Sequence, residues 1–332
     1  MKAICVTDSR TLEVREIPTP EAAPHGHVLV DMVASTITHG DKFFLTRPLP
    51  GATSFSSGGQ NVYGANGAGT VAAIGAGVPS EFLGKQVAIY KSLTRSSETI
   101  GVWCERAQIP YTSCLILPET IEVRDYCGSF ANVLTVYAFL AEMRDAKHKG
   151  IIVTAGNSAT GYIAASLVKK LNVPAIFLVR TATARDDLMS QGVRHVLITT
   201  HETFDADLQS LASELQTTAL FDGVSGELLS RILPALPLNT AVYVYGFLGG
   251  AAPIILPTGL LMGKNLTIRR FSNLESATVS DPSKLAAAIK DIEGIIDDPL
   301  FRTKIGKEFG LDQIDEAMVY EAAPGLRAIL VP

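Results

Sequence analysis

The hydrophobic rhythm of the chain changes once, near residue 122. Before that point the apolar positions come in short runs, at residues 28–30, 69–74, 86–90 and 115–117, set off by Gly, Pro and Ser. Runs of that length between turn residues predict β-strands. After it, unbroken apolar runs alternate with segments of helical period. The runs lie at 151–154, 175–179, 195–198, 219–221, 241–246 and 266–268. Strands without polar alternation belong to a sheet covered on both faces. Joined by helical segments such as 162–171 and 205–215, they predict a doubly wound parallel sheet in an α/β fold. A further helical stretch at 284–296 leads to Ala328-Ile329-Leu330-Val331, a strand pattern expected to return to the first domain. The expected division is therefore residues 1–122 with 272–332 as one domain and 123–271 as the other. The Gly-, Ser- and Pro-rich stretch 47–64 reads as a long loop.

The most informative segment is Ile151-Ile152-Val153-Thr154-Ala155-Gly156-Asn157-Ser158-Ala159-Thr160-Gly161. It reads as a buried strand, a tight turn and the start of a helix. Gly156, Ser158 and Gly161 fill the three slots of a G-x-G-x-x-G fingerprint, with serine in the middle slot, and Asn157, Ala159 and Thr160 complete the turn. Such a turn offers backbone N–H groups and a helix dipole to a pyrophosphate. The Ser158 Cβ crowds that group slightly, and its hydroxyl can bond a phosphate oxygen. The following helix agrees with the fingerprint. Ile163, Leu167, Val168 and Leu171 share one face, Ala164 and Ala165 permit close approach to a strand, and Asn172 tolerates the left-handed conformation that ends a helix. The next strand ends in Arg180, where an acidic residue would hold the ribose of NAD. A cation there suits the 2′-phosphate of NADP, so the expected coenzyme is NADPH. Arg185 is a second candidate, although Asp186 and Asp187 beside it also suit a solvated helix face.

Composition narrows the class. The chain has 332 residues, 47% hydrophobic and 18% charged, with a net charge of −5, which argues against nucleic-acid binding as its main business. No apolar run reaches membrane-spanning length. Met1-Lys2-Ala3-Ile4-Cys5-Val6 enters a strand pattern at once, so no leader is expected, and the expected location is a reducing cytoplasm. Cys5, Cys104, Cys114 and Cys127 form no CxxC and no metal-ligand cluster with the six histidines. They read as separate buried thiols, with a Cys104–Cys114 disulfide left open by spacing alone.

From end to end the chain resembles the medium-chain dehydrogenase/reductase superfamily. Met1-Lys2-Ala3 with Leu12-Glu13-Val14 is similar to the family's first hairpin. Gly64-Ala65-Asn66-Gly67-Ala68-Gly69-Thr70-Val71 is similar to its G-H-E-x-x-G-x-V segment. Gly101-Val102-Trp103-Cys104-Glu105, Thr135-Val136-Tyr137 and Tyr245-Gly246-Phe247 resemble three further motifs in the same order. The resemblance implies a β-rich GroES-like domain beside the Rossmann sheet. In the zinc alcohol dehydrogenases of this superfamily a Cys, a His and a further Cys or Glu hold the catalytic metal. The matching positions here are Thr38, Ala65 and approximately Ala131, none of them a soft or imidazole ligand. The four-cysteine structural lobe is also missing. The resemblance therefore points to the zinc-free branch of quinone oxidoreductases and 2-enoyl thioester reductases.

That branch implies hydride transfer from NADPH to a quinone or an α,β-unsaturated carbonyl compound. The alternative is an NADPH-binding sensor or structural protein with little catalysis, suggested by a departure from the pattern. The stretch Lys42-Phe43-Phe44-Leu45-Thr46-Arg47-Pro48-Leu49 contains no tyrosine where many relatives place one as proton donor. Tyr63, Asn66 and His39 are the catalytic candidates that remain, as hydrogen-bond donors to oxygen that gains negative charge. Asp41 is expected to tether its segment. The resemblance places Thr135, Tyr245, Gly246 and Phe247 around the nicotinamide and Arg327 at a position where it could contact the 2′-phosphate. Phe43, Phe44, Leu45 and Phe55 favour an apolar or aromatic small-molecule acceptor. A homodimer formed through the edge strand near 266–268 is the family's expectation.

Overall fold

A computed structural model of the chain describes residues 1–46, 59–323 and 325–332. An antiparallel hairpin, β1 (Lys2–Val6) and β2 (Leu12–Glu16), opens the fold. The strands β3 (His27–Ile37), β4 (Asn66–Ile74), β5 (Gln86–Tyr90), β6 (Arg106–Pro110) and β7 (Cys114–Ile116) follow, with helix α1 (His39–Thr46) after β3. Helix α2 (Ser129–Asp145) leads into alternating strands and helices: β8 (Ile151–Val153), α3 (Ala159–Lys170), β9 (Ala175–Val179), α4 (Ala182–Ser190), β10 (Val196–Ile198) and α5 (Phe204–Glu214). The alternation continues through β11 (Ala219–Asp222), α6 (Gly226–Ile232), β12 (Ala241–Val244), α7 (Thr258–Lys264) and β13 (Thr267–Arg270). The tail contains α8 (Ala277–Ser280), α9 (Pro282–Glu293), β14 (Ile305–Gly310), α10 (Ile314–Val319) and β15 (Arg327–Val331).

Two compact units result, Met1–Asn132 with Ile289–Pro332, and Val133–Ala288. The division falls inside α2 and α9, whereas the sequence placed it at residues 122 and 272. The reason is visible in α2. At its start Gly128 N donates to Thr303 Oγ1 at 2.9 Å, inside the first unit. Beyond Asn132 the surroundings of the helix are the second unit, where Phe139 stacks on Phe221 at 4.2 Å.

The first unit is a mixed seven-stranded sheet, ordered β14-β15-β3-β4-β5-β7, with β6 paired to β3. The tail does return here, because β15 runs antiparallel to β3 and parallel to β14. β3 carries four buried residues at each end because it lies between neighbours in the middle of this sheet. Its apolar side chains meet those of β1, β4, β5 and β6 and the buried Trp103.

The second unit holds six parallel strands ordered β10-β9-β8-β11-β12-β13. This is the doubly wound Rossmann order. The direction of winding reverses between β8 and β11. Every residue of β8, β9 and β11 is buried, as the unbroken apolar runs require. An aromatic column supports the sheet. Phe221 lies between Phe139 at 4.2 Å and Tyr245 at 4.0 Å, both stacked. Phe271 meets Phe139 and Phe221 edge-on.

Details differ from the sequence reading where helix and strand ends are concerned. Leu171 does not share the buried face of α3. The helix ends at Lys170, and Leu171 follows as its C-cap with 55% of its surface exposed. Asn172 then takes the left-handed conformation at φ 53°, as its side chain allows. The last strand of the sheet starts at Thr267, because the buried Leu266 still belongs to the turn out of α7. All four cysteines are free and buried, which removes the Cys104–Cys114 disulfide. Part of the 47–64 stretch, with Arg47 and Phe55, lies outside the described residues.

Burial predicts the response to mutation. Phe221→Ala empties the middle of the aromatic column and should cost about 3–5 kcal/mol. Leu171→Ala should cost within about 0.5 kcal/mol. Equilibrium denaturation of the two variants checks this contrast.

Candidate functional site

In a parallel sheet all carboxyl ends lie on one edge, and ligands bind there at the point where the winding reverses. That point in the second unit is the pair of ends of β8 and β11. Thr154, just after β8, donates its hydroxyl to Asp222 Oδ1 at 2.6 Å. The same hydroxyl oxygen accepts from Gly223 N at 2.9 Å. Asp222 is fully buried and also accepts from Val224 N at 3.1 Å and Ser225 N at 2.9 Å. Burial pushes its carboxyl above the ordinary value, against the lowering effect of these donors.

The fingerprint turn leaves β8 beside this network. Ala155 has φ 50°, and Gly156 N donates to Leu178 O at 2.9 Å, which fixes the turn to β9. A Cβ on Gly161 would stand 2.2 Å from Gly156 O, so only glycine lets α3 start this close to the turn. Ser158 is the N-cap of α3, its Oγ accepting from Gly161 N at 3.1 Å. The cap uses a lone pair of the oxygen and leaves the O–H as a donor. Asn157, Ser158 and Ala159 are half-buried, and Thr160 is buried within the first turn. The uncommitted N–H groups of that turn are the ones a helix start presents to an anion.

The other candidates of the second unit fall on the same edge. Arg180 follows β9 with its side chain exposed, and it forms no ion pair among the described residues. Its carbonyl accepts from Thr200 Oγ1 at 3.1 Å, which joins the ends of β9 and β10. Arg185, one turn into α4, is instead paired with Asp186 at 2.8 Å. The segment after β12 is zipped to the segment after β11. Tyr245 N donates to Asp222 O at 2.9 Å, Leu248 N to Gly223 O at 3.0 Å and Gly249 N to Val224 O at 2.8 Å. This fixes Tyr245, Gly246 and Phe247 beside the reversal point. Thr135, on α2, accepts from Asn273 Nδ2 at 2.9 Å.

The first unit gathers its candidates on one edge too. The registers Ala328↔Ile37, Ser35↔Gly67 and Asn66↔Tyr90 place the start of β15, the end of β3, the start of β4 and the end of β5 together. Arg327, His39, Asn66 and Lys91 therefore stand at the same end of this sheet. Helix α1 starts with a capping box. Asp41 N donates to Thr38 Oγ1 at 3.1 Å, and Thr38 N donates to Asp41 Oδ2 at 2.8 Å. Asp41 is fully buried, and burial pushes its carboxyl up to about 6 despite the Thr38 bonds and the charge of Lys91. The other end of α1 is held by Arg10, which donates to Phe44 O at 2.7 Å and Leu45 O at 2.6 Å.

Tyr63 lies inside this unit with 1% of its surface exposed. Its phenol donates to Asp41 O at 2.9 Å, and its ring meets Trp103 edge-on at 5.0 Å. Gly64 follows with φ 91°, and a Cβ there would stand 2.2 Å from the indole. Asn66 is buried, and its Oδ1 has no hydrogen-bond partner among the described residues. Burial, then Arg327 and Lys42, push the His39 imidazole below its ordinary value. Sequence reasoning missed Thr154, Asp222 and Lys91. Asp222 ends an apolar run and Lys91 follows one, so each reads as an ordinary strand boundary. No group of three His, Cys, Asp or Glu side chains suited to a metal ion occurs among the described residues. No helix among them is long and apolar enough to cross a membrane.

The fold is shared with solved quinone and haloacrylate reductases. Its solved neighbours include a Mesorhizobium loti protein assigned as an NADPH:quinone reductase, with a TM-score of 0.79 and 24% identity, covering 100% of this chain and 98% of that one. Quinone oxidoreductase of Escherichia coli, solved with NADPH, aligns with a TM-score of 0.74 and 19% identity over 100% and 99% of the two chains. A 2-haloacrylate reductase aligns with a TM-score of 0.76 and 16% identity over 100% and 99%. At these identities the likeness is one of fold. Among curated sequences, the human synaptic vesicle membrane protein VAT-1 homolog is 26% identical over 133 residues, 40% of this chain and 32% of that protein. The rat homolog matches over the same length, 40% of this chain and 31% of its own. The match thus spans about a third of these curated relatives. No family model matches the chain.

The caps and the buried carboxyl set two expected outcomes. Ser158→Ala removes the cap of α3 and should cost about 1 kcal/mol, read as a lowered thermal midpoint. Asp41 keeps its proton to higher pH folded than unfolded, so its contribution to stability falls as pH rises from about 4 to 6. Over that window the wild type should lose on the order of 2–3 kcal/mol relative to Asp41→Asn, since a tenfold change in proton affinity corresponds to about 1.4 kcal/mol. Denaturation of both proteins across pH measures the difference.

Proposed function

We propose that the chain is a zinc-independent member of the medium-chain dehydrogenases/reductases that reduces an α,β-unsaturated carbonyl compound or a quinone with NADPH. The observation that carries the coenzyme reading is Arg180, an exposed guanidinium just past β9, the strand whose Leu178 carbonyl accepts from Gly156 N of the glycine turn. In this reading the N–H groups of Asn157 and Ala159 and the Ser158 hydroxyl hold the pyrophosphate, and Arg180 holds the 2′-phosphate. Arg185 is the weaker candidate because Asp186 already engages it. Thr135 and the Tyr245–Gly246–Phe247 segment orient the nicotinamide. NADPH, when bound, supplies the hydride. The chain's own part is placement and the stabilisation of negative charge on the acceptor. The NADPH complex of the E. coli neighbour supports the choice of coenzyme.

Zinc independence rests on the donor set. Of the three positions matched to zinc ligands, two are alanine and the third is Thr38, whose hydroxyl bonds Asp41 at 2.5 Å. Tyr63 serves in this reading as a positioning residue, since its phenol is spent on the Asp41 carbonyl. The edge strand β13, with Leu261 and Met262 exposed on the preceding helix, supports pairing of two copies as a homodimer. A cytoplasmic location is part of the same proposal.

Arg180→Ala should raise the Kd for NADPH at least tenfold and leave that for NADH within twofold, as measured by fluorescence titration. Equal loss for both coenzymes would refute the phosphate assignment. Dialysis against EDTA should leave NADPH oxidation with the best quinone or enone unchanged, and its abolition would restore a metal to the mechanism.

A further inference from the structure

Lys91 follows β5 and is buried, with 4% of its surface exposed. Its backbone N donates to Ala65 O at 2.8 Å, next to Asn66 in the opposing strand. The charged group that acts on its ammonium is Asp41, presented by α1. Three buried oxygens on this edge have no hydrogen-bond partner among the described residues, Thr36 Oγ1, Asp41 Oδ1 and Asn66 Oδ1. Burying an ammonium and a carboxylate together gives little net stability, because both lose their hydration. An arrangement of that kind on the edge where the candidate residues converge is a mark of chemistry. The reductase reading still lacks a proton donor, since residues 42–46 contain no tyrosine.

We infer that Lys91 is the proton donor of this site and that its acceptor is an α,β-unsaturated carbonyl compound, an inference that rests on the reductase reading above. The β-carbon of the acceptor takes the hydride with its electron pair, and NADPH leaves as NADP⁺. The carbon–carbon π bond shifts to give an enolate, whose oxygen the ammonium stabilises. The enolate α-carbon then takes a proton from Lys91 Nζ. A C–H bond forms, an N–H bond breaks, and the neutral amine regains its proton from water. Protonation at carbon needs a positioned acid, whereas the anion left by quinone reduction takes its proton from water on oxygen. A buried acid therefore fits the enone better than the quinone.

Two charge effects oppose each other at Lys91. Burial lowers the ammonium to about 8, and Asp41 holds it from falling further. Tyr63, which donates to the Asp41 carbonyl, stays un-ionised because burial raises its phenol. Burial, then Arg327 and Lys42, hold the His39 imidazole below its ordinary value, and Lys42 itself donates to Tyr320 O at 2.7 Å. The acid form of Lys91 thus predominates at pH 7 and is lost above about 8.

The test uses the full-length protein, NADPH and the best substrate from a panel of linear and cyclic enones. Lys91→Met and Lys91→Arg should each lower kcat about 100-fold while the Kd for NADPH stays within twofold. Arginine keeps the charge opposite Asp41 but is too weak an acid to give up its proton. Rescue by Lys91→Arg would therefore mean a structural ion pair and would overturn the inference. In the wild type kcat should fall as pH rises through about 8. Asp41→Asn should move that limb to lower pH, and the Lys91 Nζ resonance, followed by ¹⁵N NMR, should titrate with the same displacement. A limb and a resonance indifferent to Asp41→Asn would also overturn it. Turnover with quinones alone would refute Lys91 as donor and leave the reductase reading standing. Absence of turnover with any acceptor would remove both.

Discussion

A buried carboxylate fixes the geometry on which the second unit depends. Asp222 is fully buried, so its charge is tolerable only because Thr154 Oγ1, Val224 N and Ser225 N all point at it. Those three donors come from the ends of two adjacent strands. Meeting them ties β8 to β11 where the winding reverses and bends the chain after β11 through Ser225 and Gly226, both at positive φ. The segment after β12 then hydrogen-bonds along this bend, which sets Tyr245, Gly246 and Phe247. The glycine turn after β8 and the aromatic column under Phe221 rest on the same frame. The exposed Arg180 at the end of β9 is thus carried by a frame that is wholly interior.

The first unit solves a different problem with similar means. Its polar residues at one sheet edge bind one another before they could bind anything else. Thr38 and Asp41 cap α1 reciprocally, Tyr63 holds the Asp41 carbonyl, and Arg10 closes the other end of the helix. Thr38, one of the positions matched to a zinc ligand, is part of this scaffold. Among the oxygens the scaffold leaves without a hydrogen-bond partner among the described residues are one of Asp41 and one of Asn66, at the same sheet edge as the buried Lys91. Polar groups of that kind are held in apolar surroundings at a cost in stability, and that cost is the reason to look for a task they perform.

Much of the architecture was legible because it follows from local rules. The runs at 86–90 and 175–179 became strands with those bounds, and Asn172 ended its helix in the left-handed conformation. Gly161 was recognisable as a residue that must be glycine, although its reason, the Gly156 carbonyl 2.2 Å from the missing Cβ, is a fact of packing. Arg180 could be placed at a strand end by counting. Tyr63 could be placed near the edge of the first unit but not oriented, since nothing local says that its phenol turns inward. Leu171 carries the helical period of its neighbours and is nevertheless exposed, because periodicity does not say where a helix stops.

The amino-acid order by itself determined the strand and helix pattern, the parallel sheet, the glycine turn and the cation that follows the next strand. These depend on side-chain volume, hydrophobicity and backbone freedom within a few residues of each other. Tertiary structure alone decided which polar groups meet. Thr154 reaches Asp222 across 68 positions of sequence. Asp41 and Lys91 lie far apart in sequence, yet strand register sets their opposite charges in the same desolvated corner. Electrostatic interaction depends on distance in space and on the loss of water, and neither is written in the local sequence.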